Sequence, residues 1–217
     1  MMLNKDAFIF FDLDGTIIDT LDDIHNSLII TLKEFGFKTF SKEVTKSYVG
    51  DGIKKLIERA VGKENYRKDI EIFFRHTYNQ KIIENSQPYD GIIKVLDTLN
   101  QYTNYLFIIS NKSFDFTDKI VTHFGLNKYF KGWFGGDSFA EKKPSPLPIL
   151  EIFKMYKSSP SKQSFIIGDN YTDIECGYNA GISTIFCKYG YGKLSDISPD
   201  FIVTTPLEII NVLEVTQ

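Results

Sequence analysis

The sequence predicts an α/β protein in which a doubly wound parallel sheet carries an inserted all-α cap domain. Three observations lead to this expectation. Residues 7–11 form a short apolar run of the kind that is buried on both faces of a parallel sheet. A long stretch after this run shows helical periodicity and no strand pattern. From residue 105 onward, short apolar runs alternate with helical segments, which is typical of a parallel sheet covered by helices.

The helical stretch begins directly after the first apolar run. Apolar residues recur there at helical spacing in three segments, and Gly36 and Gly62 end the first two. Residues 41–48 fit a further short helix. The three periodic segments are residues 24–32, 53–60 and 66–77.

The second half of the chain follows a Pro-Tyr-Asp-Gly turn at residues 88–91. Its predicted strands are residues 105–109, 132–135, 164–167, 184–187 and 201–203. Its predicted helices are residues 114–124, 147–156 and 172–180. We therefore assign residues 1–16 and 85–217 to a discontinuous α/β core and residues 17–84 to the cap. A domain inserted at this point must lie over the carboxyl end of the sheet.

Two aspartates follow the first strand at once, Asp12 and Asp14. Open α/β sheets bind ligands at this end of their strands, and alternation along an extended chain puts both side chains on one side. Two unit charges ~4 Å apart repel by ~4 kcal/mol at an effective dielectric of ~20. A hard divalent cation such as Mg²⁺ offsets this repulsion. The alternative is that one of these aspartates lies in a loop and caps a helix, while the other is solvated.

Polar residues also follow other predicted strands. Ser110 at a strand end can bind a phosphate oxygen, Lys143 can neutralise phosphate or carboxylates, and Asp169 and Asp173 lie one helical turn apart. Each has a simpler interpretation, as a turn or cap residue or a solvated lysine. A shared functional site is favoured over these simpler interpretations, because parallel strand order brings the carboxyl ends of the strands together.

The composition indicates an intracellular protein with a packed core. Of the 217 residues, 42% are apolar and 24% are charged, and the net charge is −3. This net charge does not indicate a basic surface of the kind that binds nucleic acid. No apolar run approaches the ~20 residues of a membrane span. Cys176 and Cys187 have no metal-type spacing and suit a reducing compartment. We expect a cytoplasmic protein that binds neither nucleic acid nor membrane.

Four motifs carry a resemblance to the haloacid dehalogenase-like phosphohydrolases. FDLDGT, ISNK, KKPSP and GDNYTD begin at residues 11, 109, 142 and 168, in the order of the four motifs of that superfamily. The resemblance spans nearly the whole chain, including the helical cap and a Rossmann-like core. Residues 135–148, 167–181 and 189–192 resemble the phosphoglycolate phosphatase branch. In the cap, residues 49–52 resemble the glycine-bearing substrate loop of that branch.

The resemblance implies a role for each matching residue in the core. Asp12 matches the nucleophile that becomes an aspartyl phosphate, and Asp14 matches the general acid and base. The carboxylates of Asp12 and Asp169, with the backbone carbonyl of Asp14, would hold Mg²⁺. Asp173 would support the metal shell or the lysine.

The resemblance also implies the residues that bind substrate. Ser110 and Lys143 match the pair that holds the phosphate, and Asn111 lies where a backbone N–H contacts it. In the cap, we expect the loop with Gly50 and Gly52 to point towards Asp12, and Lys54 or Lys55 to pair with a substrate carboxylate. The alternative for these two lysines is a solvated helix face.

We therefore expect a Mg²⁺-dependent phosphatase of small phosphomonoesters, with 2-phosphoglycolate as the first candidate. Its partner would be a small phosphorylated metabolite, and the chain would be a monomer or a weak homodimer. A sugar-phosphate phosphatase or a β-phosphoglucomutase-like enzyme is the alternative within the superfamily. A receiver-type phosphoacceptor module is a remote alternative, because such modules are shorter and lack a helical insertion. Asp14 argues against a dehalogenase, because dehalogenases of the superfamily lack an acid there.

Overall fold

A parallel sheet forms the centre of the molecule in the computed structural model, which describes residues 5–213. The described strands are β1 (Ile9–Phe11), β2 (Ile18–Asp19), β3 (Gln87–Pro88), β4 (Leu106–Ile109), β5 (Gly132–Phe134), β6 (Phe165–Gly168), β7 (Ser183–Cys187) and β8 (Phe201–Val203). Six of them form the sheet in the order β5-β4-β1-β6-β7-β8, and each neighbouring pair is parallel. The predicted fold class, α/β with a doubly wound parallel sheet, is confirmed.

The described helices divide between the inserted stretch and the sheet. They are α1 (Leu21–Glu34), α2 (Lys42–Lys46), α3 (Ile53–Val61), α4 (Lys68–Lys81), α5 (Ile92–Leu99), α6 (Phe114–His123), α7 (Leu147–Met155), α8 (Tyr171–Ala180) and α9 (Glu208–Val212). The first four make up the insertion, and the others connect or flank the strands. None of the described helices is long and apolar enough to span a membrane.

Strand β1 lies in the middle of the sheet because both of its faces are apolar. Ile9 and Phe11 pack into the larger apolar cluster, which includes α1, α4 and α5. Phe10 points to the other face and packs beside Phe107 and Phe153 in the smaller cluster. All three residues of β1 are fully buried. Burial on two faces explains why the strand reads as a continuous apolar run rather than an alternating one.

The four inserted helices form a layer of their own against the larger cluster. Helix α1 buries Ile24, Leu28 and Leu32, and α4 buries Phe74 and Tyr78 in the same cluster. The apolar residues whose periodicity predicted these helices are therefore the residues that pack into the cluster. The division of the chain at residues 17 and 85 into cap and core stays a prediction.

Two short strands join the ends of the insertion, and the sequence analysis missed both. Strands β2 and β3 pair antiparallel, with Ile18 opposite Pro88 and Asp19 opposite Gln87. The expectation of no strand within residues 17–84 is therefore wrong for Ile18 and Asp19. Strands of two residues show no periodicity that could reveal them. Helices α5 and α9 were also not predicted, although the other predicted helices and strands overlap the observed ones.

Candidate active site

The candidate site lies at the carboxyl end of the sheet, where three neighbouring strands stop. Asp12 and Asp14 follow β1, Ser110 and Asn111 follow β4, and Asp169 follows β6. Because β1 lies between β4 and β6, these loops adjoin. These five residues line one cleft. The structure thus brings together the strand ends that the sequence analysis expected to meet.

Three carboxylates and one ammonium form the buried part of the site. One carboxylate oxygen from each of Asp12, Asp169 and Asp173 lies within 4.8 Å of the other two. Lys143 Nζ lies 2.9 Å from Asp12 Oδ1 and 2.6 Å from Asp173 Oδ1. The side chain of Lys143 is 1% exposed, so this ion pairing takes place away from water. The acids outnumber the cation, and the cluster lacks positive charge.

The pKa shifts of these groups reflect their burial first and the excess of acids second. Burial raises the pKa of Asp12 to about 7; Lys143 opposes the rise, and Asp173 and Asp14 add to it. Burial, with Asp12 and Asp173, also raises the pKa of Asp169 well above its usual range. Burial alone would lower the pKa of Lys143, but Asp12 and Asp173 hold it above the usual value. A divalent cation would stabilise the charged form of these acids.

Asp169 is held by the backbone of the loop after β7. Its Oδ2 accepts hydrogen bonds from Tyr191 N at 2.9 Å and from Gly192 N at 2.8 Å. The loop approaches so closely that a Cβ at Gly190 would collide with Asp169 and with the carbonyl oxygen of Gly15. One oxygen of Asp169 is thereby fixed, which sets the direction of the other.

Asp173 lies in the first turn of α8, and both of its oxygens are occupied. Oδ1 accepts from Lys143 at 2.6 Å, and Oδ2 accepts from Asn170 N at 3.0 Å as part of a capping box. The residue is completely buried. These contacts suit the predicted supporting role, in which Asp173 positions Lys143 beside Asp12.

The residues after β4 connect the core to the inserted helices. Ser110 Oγ accepts from Lys112 N at 3.2 Å. Asn111 Nδ2 donates to the carbonyl oxygens of Gly50 at 2.9 Å and Lys143 at 3.0 Å. The side chain of Asn111 thus links the loop at Gly50 to the core. The contact of its backbone N–H with phosphate, which the resemblance implies, stays a prediction.

Asp14 stands apart from the three-acid cluster. Its Oδ1 accepts from Thr20 Oγ1 at 2.6 Å, and its Oδ2 lies 3.1 Å from Lys112 Nζ. Lys112 Nζ also donates to the hydroxyl of Tyr78 at 2.6 Å. The sequence analysis missed the roles of Thr20, Lys112 and Tyr78. The position of Lys112 within the ISNK motif was the one signal available, since it follows a buried strand. The predicted metal contact through the backbone carbonyl of Asp14 stays a prediction.

The glycine-bearing loop of the insertion approaches the core closely. Gly50 and Gly52 have φ angles of +119° and +86°, and both residues line the cleft. A Cβ at Gly50 would collide with the side chain of Asn170, and one at Gly52 would lie 3.1 Å from the carbonyl oxygen of Asn111. Glycine is required here by conformation and by space.

Lys54 and Lys55 lie outside the cleft, unlike the two glycines. Both are exposed on α3 and pair with Glu58, at 3.9 Å and 2.9 Å respectively. Neither residue lines the cleft. The expectation that one of them meets the substrate has no support in this arrangement, and both fit the alternative of a solvated helix face. Charge pattern alone did not distinguish a lysine that faces the cleft from one that faces solvent.

The inserted helices provide the apolar wall of the cleft. Ile24, Leu56 and Phe74 line it together with the aspartates, and Tyr78 and Tyr191 add two phenol groups. A small ligand bound between this wall and Asp12 would be largely withdrawn from water. Low polarity strengthens the electrostatic contacts made there.

Comparison with known proteins identifies the family. The family model for haloacid dehalogenase-like hydrolases matches residues 9–187. A phosphoglycolate phosphatase of Aquifex aeolicus is 35% identical over 95% of this chain and 96% of its own length. One from Colwellia psychrerythraea is 33% identical over 91% of each chain.

Solved structures give the same result. A crystal structure from Haemophilus somnus, described as a predicted phosphoglycolate phosphatase, has a TM-score of 0.85 and 28% identity, and covers 98% of this chain and 99% of that one. A haloacid dehalogenase-like hydrolase from Streptococcus pneumoniae has a TM-score of 0.82 and 26% identity, covering 95% and 97%. The chain therefore belongs to the haloacid dehalogenase-like hydrolases. Within that family it is a phosphatase.

Proposed function

We propose that the protein is a Mg²⁺-dependent phosphatase of small phosphomonoesters, that it acts through an aspartyl phosphate on Asp12, and that 2-phosphoglycolate is its substrate. The observation that carries this proposal is the position of Asp12. Its carboxylate lies at the end of β1, 2.9 Å from Lys143, and opens into the cleft. The relatives named phosphoglycolate phosphatase support the choice of substrate.

The acids of the site fit a magnesium ion. Mg²⁺ prefers oxygen ligands, and Asp12 and Asp169 offer carboxylate oxygens close together in a cluster that needs positive charge. Asp12 Oδ1 contacts Lys143 Nζ at 2.9 Å, and a carboxylate oxygen has a second lone pair that remains for a ligand. Asp173 is less suited to direct contact because both of its oxygens have partners. When bound, the ion supplies positive charge to the phosphoryl oxygens and the nucleophile.

The first chemical step transfers the phosphoryl group to Asp12. A carboxylate oxygen of Asp12 attacks phosphorus, and the bond from phosphorus to the ester oxygen breaks. Asp14, in its protonated form, donates its proton to the leaving oxygen, which departs as an alcohol. Lys143 and Ser110 would reduce the repulsion between the anionic nucleophile and the anionic phosphate.

The second step releases phosphate. Asp14, now a carboxylate, takes a proton from a water molecule as the water attacks phosphorus. The bond between phosphorus and Asp12 breaks, which restores the carboxylate of Asp12. One residue can act as acid and then as base because it leaves the first step in the state that the second step requires.

The cleft supports a small substrate in a protected site. The apolar wall of the insertion lies opposite Asp12 and Asp14, and the loop with Gly50 and Gly52 is tied to the core through Asn111. Closure over a substrate would exclude bulk water from the aspartyl phosphate. A large phosphoprotein would not fit between these surfaces.

The predicted cellular location and oligomeric state belong to the proposal. Cys176 and Cys187 are free and buried, which is consistent with a reducing compartment such as the cytoplasm. We infer a cytoplasmic enzyme that acts on a small phosphorylated metabolite, as a monomer or a weak homodimer.

The test measures phosphate release from 2-phosphoglycolate and from a panel of sugar phosphates, with Mg²⁺ and with excess chelator. We expect the highest kcat/KM for 2-phosphoglycolate, no activity in chelator and recovery on addition of Mg²⁺. Asp12→Asn should be folded and inactive, whereas Asp97→Asn, at an exposed position of α5, should be unaffected. Full activity in chelator would contradict the metal site. Isomerisation of a sugar phosphate without phosphate release would identify a mutase instead.

A further inference from the structure

Lys112 is the positively charged side chain that lines the cleft. Among the described residues around it, no other lysine or arginine contributes to its surface. Lys143 is not part of that surface, because its side chain is buried against Asp12 and Asp173. The two lysines therefore differ in what they contact, since Lys143 pairs with the nucleophile Asp12 and Lys112 lines the cleft. Lys143 supports the phosphate and the nucleophile, and Lys112 is left for another part of the molecule.

The contacts of Lys112 fix its ammonium group at the cleft surface. Nζ donates to the hydroxyl of Tyr78 at 2.6 Å and lies 4.5 Å from the centre of the Tyr78 ring. It also lies 3.1 Å from Asp14 Oδ2, and the side chain is 5% exposed. An ammonium group has three donors, and the described residues provide acceptors for two of them. One N–H therefore remains for a ligand.

The apolar surroundings of Lys112 would strengthen a hydrogen bond from that remaining N–H. Tyr78 and Phe74 from α4 and Leu56 from α3 line the same cleft. A charged hydrogen bond formed in such an apolar place is stronger than one in water. In the proposed reaction Asp14 donates a proton to the leaving oxygen, so Lys112, 3.1 Å from Asp14 Oδ2, would lie beside the leaving group of a bound phosphomonoester.

We propose that Lys112 determines specificity by binding a carboxylate in the leaving group of the substrate. The enzyme would thereby prefer phosphomonoesters with a second negative charge close to the phosphate. This inference rests on the proposed function and deepens it, because it names the residue that recognises the part of the substrate that is not transferred. It also replaces Lys54 and Lys55, which lie outside the cleft, in that role.

The test compares two substrates in the same variant. The ratio of kcat/KM for 2-phosphoglycolate to kcat/KM for ethyl phosphate, which has no carboxylate, should fall in Lys112→Met by roughly 10- to 150-fold. Any loss caused by a displaced Asp14 affects both substrates and cancels in the ratio. Lys112→Arg keeps the charge and should restore most of the preference. An unchanged ratio in Lys112→Met would overturn the proposal and limit Lys112 to holding Asp14.

Matched lysines control for the general effect of removing charge. Lys119→Met removes a lysine that also contacts α4, at Asn79, but outside the cleft. Lys55→Met removes an exposed lysine of α3. Neither change should alter the ratio. Lys112→Gln provides a second neutral variant if the methionine variant melts below the assay temperature. A fall of the ratio in Lys119→Met or Lys55→Met equal to that in Lys112→Met would contradict the inference.

A binding measurement separates failure of this inference from failure of the proposed function. Hydrolysis of 2-phosphoglycolate by the unmodified enzyme tests the proposed substrate. Inhibition of ethyl phosphate hydrolysis by 2-phosphoglycolate tests Lys112, even if turnover of 2-phosphoglycolate is slow. The inhibition constant should rise in Lys112→Met by the same roughly 10- to 150-fold. An inhibition constant that does not change would overturn the role of Lys112 while leaving the phosphatase proposal intact.

Discussion

Thr20 donates a hydrogen bond to Asp14 at 2.6 Å, although Thr20 occupies the position that normally caps helix α1. Its hydroxyl makes no capping bond to α1 and also lies 2.9 Å from the hydroxyl of Tyr191. A cap bond typically contributes ~1 kcal/mol to stability. In this protein the hydroxyl is directed to the candidate acid of the reaction instead, which links the start of the insertion to the chemistry.

Thr20→Val should therefore lower activity more than stability. We expect kcat for 2-phosphoglycolate to fall roughly 10- to 100-fold, because general acid catalysis depends on the alignment of Asp14. A p-nitrophenyl ester needs little protonation of its leaving group, and its hydrolysis should fall much less. Steady-state kinetics with both substrates checks this. Equal losses on both would show that Thr20 supports the fold or the cleft as a whole.

Removal of Asp169 should abolish the response to Mg²⁺. In the unmodified protein, Mg²⁺ should raise Tm, since a ligand at ~100 times its Kd stabilises the folded state by about 2.7 kcal/mol. Asp169→Asn should show no such rise and no activity. Thermal melts with Mg²⁺ and with chelator measure the effect. Asp97→Asn serves as the control and should keep the full shift. A Mg²⁺-dependent rise that persists in Asp169→Asn would place the metal elsewhere.

Glu71 should make the stability of the inserted helices depend on pH. Burial favours its neutral form, but hydrogen bonds from Tyr66, Lys68 and Arg75 outweigh burial and lower the pKa of Glu71 to about 2. The folded-state pKa lies below the ordinary value of 4.5. The stabilisation is therefore complete above about pH 4.5 and is lost as the pH falls towards 2. Its size is on the order of 3 kcal/mol.

Urea denaturation at several pH values tests this prediction. The free energy of unfolding should fall more steeply between pH 5 and 3 in the unmodified protein than in Glu71→Gln. Glu64→Gln, which changes an exposed acid in the same part of the chain, should behave as the unmodified protein does. Identical pH dependence in Glu71→Gln and the unmodified protein would contradict the assignment.

Gly50→Ala should impair the enzyme beyond the cost of backbone strain. Gly50 has a φ of +119°, and a Cβ there would collide with Asn170. Gly36 also has a positive φ, +73°, but a Cβ there would meet nothing within 4 Å. Both alanine variants should lose about 1 kcal/mol of stability from strain. Only Gly50→Ala should also lower kcat/KM, which kinetics on the two variants would reveal. Equal kcat/KM in the two variants would mean that the close approach of Gly50 to Asn170 does not contribute to catalysis.

The sequence predicted the position of a site residue correctly where that residue directly follows a recognisable strand pattern. Asp12 and Asp14 follow a run of apolar residues, and that run predicts both the central strand and the place of the acids. Asn111 and Asp173 were recognised through their motifs, but the side-chain contacts of Asn111 were not, because they depend on residues far away in the chain. Asn111, for example, reaches Gly50, which precedes it by 61 positions.

Lys112 and Lys55 differ in a property that depends on tertiary structure, since only Lys112 lines the cleft. Lys112 ends the ISNK motif, and Lys55 follows the glycine-bearing loop, whose position led to the expectation that Lys54 or Lys55 meets the substrate carboxylate. The cleft is formed by α3 and α4 against the ends of β1 and β4, so the choice depends on how helices dock. Periodicity indicates that a helix has a buried face but does not say which lysine at its edge faces a ligand.

The antiparallel pairing of Asp19 with Gln87 means that the chain enters and leaves the helical insertion at a single point. Residues paired in this way lie about 5 Å apart, a gap that a tight turn can span. A different helical unit could therefore be joined at this point while Asp12 and Lys143 keep their places after β1 and before α7. A different wall beside the same aspartates would change which metabolite is accepted, and the reaction would keep its full rate only where the new unit supplied a hydroxyl to Asp14, as Thr20 does.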